Sequence, residues 1–227
     1  MNNPESQMVA VTVRAGSKAE MALPDGTFVH LNAATNLEYD VNNSKQRLVK
    51  LSGEAFFDVA KNPDCPFKVI INDLQIEVVG TSFNVKTYKK DIVETSLLSG
   101  RIRISGGSLP HEYTLSPGQK ATYSAMDRTL RISKADAHVE AGWRDNYLIF
   151  ESTPLIDVIA QIERWYGVEI RLHHKQIAQD LLSGSFRNES IQNVIRSLSI
   201  QYGFKYEIHK DIITTVSYTH LTLPTIL

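Results

Sequence analysis

The sequence predicts an α+β protein in two parts: an N-terminal all-β sandwich or roll, then a small duplicated β-α-β domain with two helices on one face of a sheet. Three observations predict it. Apolar residues alternate with a period of two through the first 130 or so positions. From Tyr147 onward the apolar period changes to that of a helix. Within that second stretch the pattern repeats itself at an offset of 36 residues.

The first half is a succession of short alternating segments divided by turn residues. Val29 and Leu31 follow Pro24-Asp25-Gly26; Val49 and Leu51 precede Gly53; Phe57 and Val59 precede Asn62-Pro63-Asp64. Val69 and Ile71 precede Asn72-Asp73, Ile76 and Val78 lead to Gly80, and Phe83 and Val85 follow it. Ile102 and Ile104 run into Gly106-Gly107, and Ala121 and Tyr123 follow Pro117-Gly118. Successive side chains of a strand point to opposite faces, so such alternation buries one face. Many short strands punctuated by Gly, Pro, Asn and Asp are the mark of an all-β sandwich or barrel. No helix of three turns is expected before Ile132. The alternation lapses over Ser133–His138, and a boundary is placed near Trp143, whose indole is expected to pack at the seam between the two parts. The domain limits read this way are 9–140 for the β-domain, 141–146 for a linker and 147–216 for the second domain.

In the second half Leu155, Val158, Ile159, Ile162 and Tyr166 fall on one helical face. Thr153 is expected as N-cap and Pro154 at the first helical position, where its missing N–H has no partner to lose. Gly167 suits the residue after the helix, which takes a left-handed conformation. Ile191, Val194, Ile195, Leu198, Tyr202 and Gly203 copy that series position by position, and Phe150 maps onto Phe186. Val168 and Ile170 map onto Phe204 and Tyr206. Each copy reads strand, helix, Tyr-Gly, strand. A last strand near Ile212–Val216 completes the sheet, and the apolar stripes are core.

Composition narrows the function. Hydrophobic residues make up 42% and charged residues 22% of the 227, with a net charge of −1, as in a globular domain. No Lys/Arg cluster marks a nucleic-acid partner. No apolar run approaches the roughly 20 residues that span a bilayer, and residues 1–8 lack the layout of a signal peptide. The single Cys65 is read as an incidental thiol. Glu54 and Asp58 would share one face of a strand, as a paired-carboxylate site requires; the preferred reading puts Glu54 at a bend after Gly53 and Asp58 on a solvated face. Asp25 belongs to a Pro-Asp-Gly turn. His173 and His174, adjacent in an extended segment, point to opposite faces and cannot readily share one ion. Gly106-Gly107 lacks the Lys-Ser/Thr and helix of a phosphate loop, and Leu182-Ser183-Gly184-Ser185 lacks the first glycine of a nucleophile elbow. No catalytic residue, metal or cofactor is assigned, and the chain is read as a binding protein and not an enzyme.

Three stretches of the first half resemble the FecR domain: Leu23-Pro24-Asp25-Gly26-Thr27 with Leu31-Asn32-Ala33, Leu51 to Val59 (Leu-Ser-Gly-Glu-Ala-Phe-Phe-Asp-Val), and Val79-Gly80-Thr81-Ser82-Phe83-Asn84-Val85. Leu115-Ser116-Pro117-Gly118-Gln119 and the Trp143-to-Phe150 junction fit as well. The duplicated domain resembles the short N-terminal domain of secretins and TonB-dependent receptors, which FecR-like proteins carry at their C-terminus. The chain as a whole is similar to FecR-like anti-sigma factors of the Bacteroidetes type. That resemblance implies a periplasmic sensor region of a single-pass inner-membrane protein. Its partners would be the signalling domain of an outer-membrane TonB-dependent transporter and, through a cytoplasmic segment, an extracytoplasmic-function sigma factor. On this reading residues 1–8 are a juxtamembrane remnant, the sigma-binding segment and membrane helix lie outside the sequence, and residues 217–227 are a tail of foreign or frame-shifted character.

Partner binding is expected at an edge strand of the second domain, where unpaired N–H and C=O groups can receive another strand. The candidates are Tyr147, Leu148, Ile149, Phe150 and Glu151 in one segment and Ser183, Gly184, Ser185, Phe186 and Arg187 in the other. Two alternatives compete. A carbohydrate-binding β-domain needs exposed aromatics, with Phe56, Tyr88 and Tyr113 as candidates; a hydrolase on a β-scaffold needs two converging carboxylates.

Overall fold

A computed structural model describes residues 7–41, 47–173 and 175–216. The chain divides into two units between Asn146 and Tyr147. Strands β1 (Met8–Val13), β2 (Ala19–Ala22), β3 (Phe28–Leu31), β4 (Thr35–Asp40), β5 (Arg47–Ser52), β6 (Glu54–Asp58) and β7 (Phe67–Ile71) open the first unit. Strands β8 (Leu74–Val78), β9 (Ser82–Lys86), β10 (Ile92–Ser99), β11 (Ile102–Gly106), β12 (Tyr113–Leu115), β13 (Gln119–Ser124) and β14 (Thr129–Lys134) follow. Among the described residues they form two seven-stranded sheets, ordered β1-β4-β5-β7-β8-β11-β12 and β14-β13-β10-β9-β6-β3-β2. Neighbours are antiparallel except β5 and β7, which run parallel.

The alternating residues of both sheets meet in one core. Val49, Val69 and Ile76 enter it from one sheet, and Val29, Phe57 and Phe83 from the other; all are buried. Phe57 stacks on Phe83 at 5.2 Å and meets Phe67 of the opposite sheet at 5.8 Å. The unit is a sandwich, as the period-two pattern predicts. Met8 lies opposite Asp40 as the first residue of β1, so it belongs to the sheet and not to the expected 1–8 remnant, of which residues 1–6 lie outside the described residues. The Asp25 turn is more than a turn. Its carboxylate accepts from the Thr27 N–H at 2.9 Å and pairs at 3.1 Å with the buried Arg47 guanidinium, which also donates to the carbonyls of Ala60 and Cys65 at 2.7 Å each.

Residues 141–146 are not a free linker. Helix α1 (Ala137–Ala141), N-capped by Asp136, runs into a 3-10 turn, Gly142–Asp145. Both belong to the first unit. Trp143, in that 3-10 turn, is 6% exposed, and its indole N–H has a hydrogen-bond partner in the first unit.

The second unit comprises β15 (Tyr147–Pro154), α2 (Leu155–Tyr166), β16 (Glu169–Arg171), a 3-10 turn (Lys175–Gln179), β17 (Leu181–Arg187), α3 (Ile191–Tyr202), β18 (Lys205–His209) and β19 (Ile212–Val216). The two helices begin and end 36 residues apart, and Gly167 and Gly203 close them with φ of 69° and 68°. The strands divide into two small sheets instead of the one expected. β15 pairs with β17, while β16 and β18 flank β19, which runs parallel to the first and antiparallel to the second. β19 accounts for the division: its inward Ile213 and Thr215, 1% and 2% exposed, give the strands after the helices a buried partner of their own. Helix α2 starts one residue later than expected. Pro154 is its N-cap and makes no side-chain cap bond, because Thr153 and Pro154 stay paired with Leu182 and Leu181 in the ribbon. Ser190 caps α3, accepting from the Asn193 N–H at 3.3 Å. Residues 217–227 lie outside the described residues.

Candidate partner-binding strands and the junction network

The two candidate segments are each other's partners. Tyr147 lies opposite Arg187, Leu148 opposite Phe186, Ile149 opposite Ser185 and Phe150 opposite Gly184. Their sheet has two strands among the described residues, so the question of which segment is the edge has a double answer: each strand keeps one side without a strand neighbour. Alternation decides what each face shows. Leu148, Phe150 and Leu182 point into the core shared with α2 and α3 and are at most 4% exposed. Phe186 joins them, edge-on to Phe150 at 6.4 Å. Ser183, Gly184, Ser185 and Arg187 are exposed, and Tyr147 and Ile149 half-buried. Arg187 lies over the Tyr147 ring at 4.7 Å. The register slips between Phe150 and Thr153. There the Ser152 N–H donates to Ser183 Oγ at 2.8 Å and the Glu151 N–H to Thr153 Oγ1 at 3.2 Å, so the bulge is hydrogen-bonded by side chains of the two strands themselves.

Just before Tyr147 the first unit holds a buried polar network. Glu54, 7% exposed, accepts from Asn32 Nδ2 at 2.8 Å and from Asn84 Nδ2 at 2.9 Å. Asn84 Oδ1 accepts from the Trp143 indole N–H at 3.1 Å, and Asn32 Oδ1 from the Ala33 N–H at 2.8 Å. The Lys18 ammonium donates to the Trp143 carbonyl at 2.7 Å and to Asn146 Oδ1 at 3.0 Å. The Arg144 guanidinium lies 3.6 Å over the Phe56 ring, a cation–π geometry. Lys120 bridges Glu140 of α1 and Glu94 of β10, both at 2.9 Å. Burial drives the Lys18 ammonium down to about 8, opposed by the Glu54 charge. Burial alone would raise the Glu94 carboxyl and lower the Lys120 ammonium; their ion pairs outweigh it, holding Glu94 low and Lys120 high.

The geometry sorts the remaining candidates. Glu54 and Asp58 do lie on one face of β6, but Glu54 is buried with both oxygens taken by amides, while Asp58 is exposed and accepts from Ser82 Oγ at 2.7 Å. They form no acid–base pair. Phe56 is 3% exposed beneath Arg144, the half-buried Tyr88 donates its hydroxyl to the Ala33 carbonyl, and Tyr113 stacks on His111 at 4.4 Å; these three offer no exposed aromatic platform. Ser183 and Ser185 sit mid-strand. His173 is fixed by its backbone N–H to Thr215 Oγ1 at 3.0 Å, His174 lies outside the described residues, and no metal-ligating cluster occurs among those described. No described helix is long and apolar enough to cross a membrane.

The network is not legible in the sequence, because each of its asparagines and Glu54 looks like an ordinary polar residue of a β-domain. One signal was present. Ala55-Phe56-Phe57 breaks the alternation with a continuous apolar run, as a strand buried on both faces does. The cover on that second face is the α1-to-Asn146 segment.

Comparison with known proteins agrees with this architecture. The family model described as "FecR protein" matches residues 9–103, and that described as "FecR, C-terminal" matches residues 147–215. Two crystal structures of a "putative anti-sigma factor" from Parabacteroides distasonis, at 1.65 and 2.50 Å, superpose with TM-scores of 0.82 and 0.83. Each is 29% identical in sequence; the matches cover 93% and 94% of this chain and the whole of the other. No curated protein matches the sequence.

Proposed function

Because the chain belongs to the FecR-like anti-sigma factors, we propose that it is the periplasmic sensor region of a transmembrane member. It receives the signalling domain of an outer-membrane TonB-dependent transporter and relays that contact inward to an extracytoplasmic-function sigma factor. The full protein crosses the inner membrane once, with its sigma-binding segment in the cytoplasm. Docking adds one extended strand of the transporter's domain to the outer side of β15 or β17.

One observation carries the docking: Tyr147 to Glu151 and Ser183 to Arg187 form a two-stranded ribbon, packed on its helices from one face, whose outer sides have no strand partner among the described residues. A strand added there gains main-chain hydrogen bonds, and the alternate side chains select the partner. Small exposed Ser183, Gly184 and Ser185 leave room for the added strand.

Proline substitution tests it. In an antiparallel pair, opposite residues direct their N–H groups both inward or both outward, alternating along the ladder. Leu148 with Phe186, and Ile149 with Ser185, are consecutive pairs, so one of the two turns its N–H groups to the open sides. Proline at each of these four positions, kept only where thermal melting shows a folded second unit, is titrated with the purified signalling domain. At least tenfold weaker binding is expected from a substitution in one strand. Unaltered affinity in every folded variant would refute strand addition.

A further inference from the structure

The segment that leads into β15 is fastened to the first unit by directional polar contacts. Trp143 is held through its indole N–H on Asn84, and Asn84 is held by the Glu54 carboxylate. Lys18 holds the Trp143 carbonyl and the Asn146 side chain, Arg144 covers Phe56, and Glu140 pairs with Lys120. Asn146 then turns the chain in a left-handed conformation, φ 61°, and Tyr147 of β15 is the next residue. Apolar burial contributes chiefly through Ala141 and Trp143. A segment held mainly by hydrogen bonds and ion pairs opens locally at lower cost than the sheets beneath it.

We infer that residues 137–146 are a latch, with Asn84 and Lys18 as its positioning residues, and that its docked or released state is what the sandwich communicates to the partner-binding ribbon. The signalling consequence rests on the docking function proposed above; the latch itself needs no partner and is tested without one.

The test uses Trp143→Phe, which removes the indole N–H together with part of the bicyclic ring, and Lys18→Met, which removes two hydrogen bonds without shortening the chain's apolar stem and so separates loss of polar contacts from loss of ring volume. Hydrogen exchange is followed residue by residue on the whole chain. The Glu140 and Asn146 amides, which donate to Asp136 and Trp143 carbonyls, are expected to exchange at least tenfold faster in each variant, with β9, β10 and β13 unchanged. Unchanged exchange at Glu140 and Asn146, or equal acceleration in the strands, overturns the latch. In a second arm the same substitutions are placed in the full-length protein with a sigma-dependent reporter. A shift of threefold or more in output without transporter stimulation supports the relay. If the segment opens and output does not move, the relay is refuted, while the affinity of the ribbon for the signalling domain, measured on the same variants, reports separately on docking.

Discussion

Glu54→Gln should destabilise the first unit although it is nearly isosteric, and the reason lies in four hydrogen bonds. The Ala33 N–H and the Trp143 indole N–H can only donate, so the atoms of Asn32 and Asn84 that face them are oxygens. The amide nitrogens of both asparagines are therefore fixed toward Glu54, which receives them on its two oxygens. A glutamine offers one oxygen and one NH2. One asparagine then faces a donor with a donor, and neither can flip without abandoning Ala33 or Trp143. A hydrogen bond to a charged group contributes about 1.5–3 kcal/mol, and a buried donor left without an acceptor costs about 1–3 kcal/mol. Removing a buried charge returns part of its desolvation penalty. A net loss of about 2–3 kcal/mol follows, roughly 5–10 °C in Tm for a unit of this size. Adding Asn84→Asp should restore the pattern. The carboxylate introduced at position 84 accepts both from the new glutamine's NH2 and from Trp143, while the glutamine oxygen serves Asn32. The double variant is expected within about 1 kcal/mol of the parent, and Asn84→Asp alone, with two carboxylates in contact, below either. Urea denaturation of the four proteins measures the cycle. Strict additivity of the two single losses would refute this account of the network.

Two further outcomes follow from the same unit. Gly53→Ala should lose at least about 2 kcal/mol in urea denaturation, because φ is +113° and a Cβ would sit 2.5 Å from Thr35 Oγ1 and 2.7 Å from its Cα; a loss below about 0.5 kcal/mol would contradict the packing at the start of β6. For Lys18, burial depresses the folded-state value to about 8 against 10.5 for the unperturbed group. The unfolded chain then binds the extra proton between those values, so this group makes stability rise with pH from about 8 to 10. The difference in urea midpoint between the parent and Lys18→Met should change in the parent's favour over that window; a difference independent of pH would show that Lys18 is not desolvated.

The helices and their strands were legible in the sequence because a period and its copy are carried by single residues. Leu155 through Gly167 and Ile191 through Gly203 place helix, cap and face without further information. Strand β4 was harder to read, since its inward positions are Thr35, Leu37 and the half-buried Tyr39, only partly an apolar alternation. The start of α2 lies one residue beyond what the local pattern indicates, because cap chemistry at Thr153 competes with continued pairing in the ribbon, and a local pattern does not report a strand partner as distant in sequence as Leu182. The junction network is a tertiary fact: Glu54 is ordinary until Asn32, Asn84 and Trp143 arrive from three other segments.

The 36-residue copy has a consequence for symmetry. β15 with β17, and β16 with β18, are antiparallel relatives about an approximate two-fold axis, the relation that joins identical subunits in a dimer. β19 lies between β16 and β18, where that axis must pass. A strand has a direction and cannot obey a two-fold axis through its middle, so it meets one relative parallel and the other antiparallel. The fold thus contains one place that admits a single strand, and the chain fills it after both copies are complete. Two identical halves could have assembled as separate chains, but the strand between them can be supplied only once, and joining the halves in one polypeptide makes its direction unambiguous.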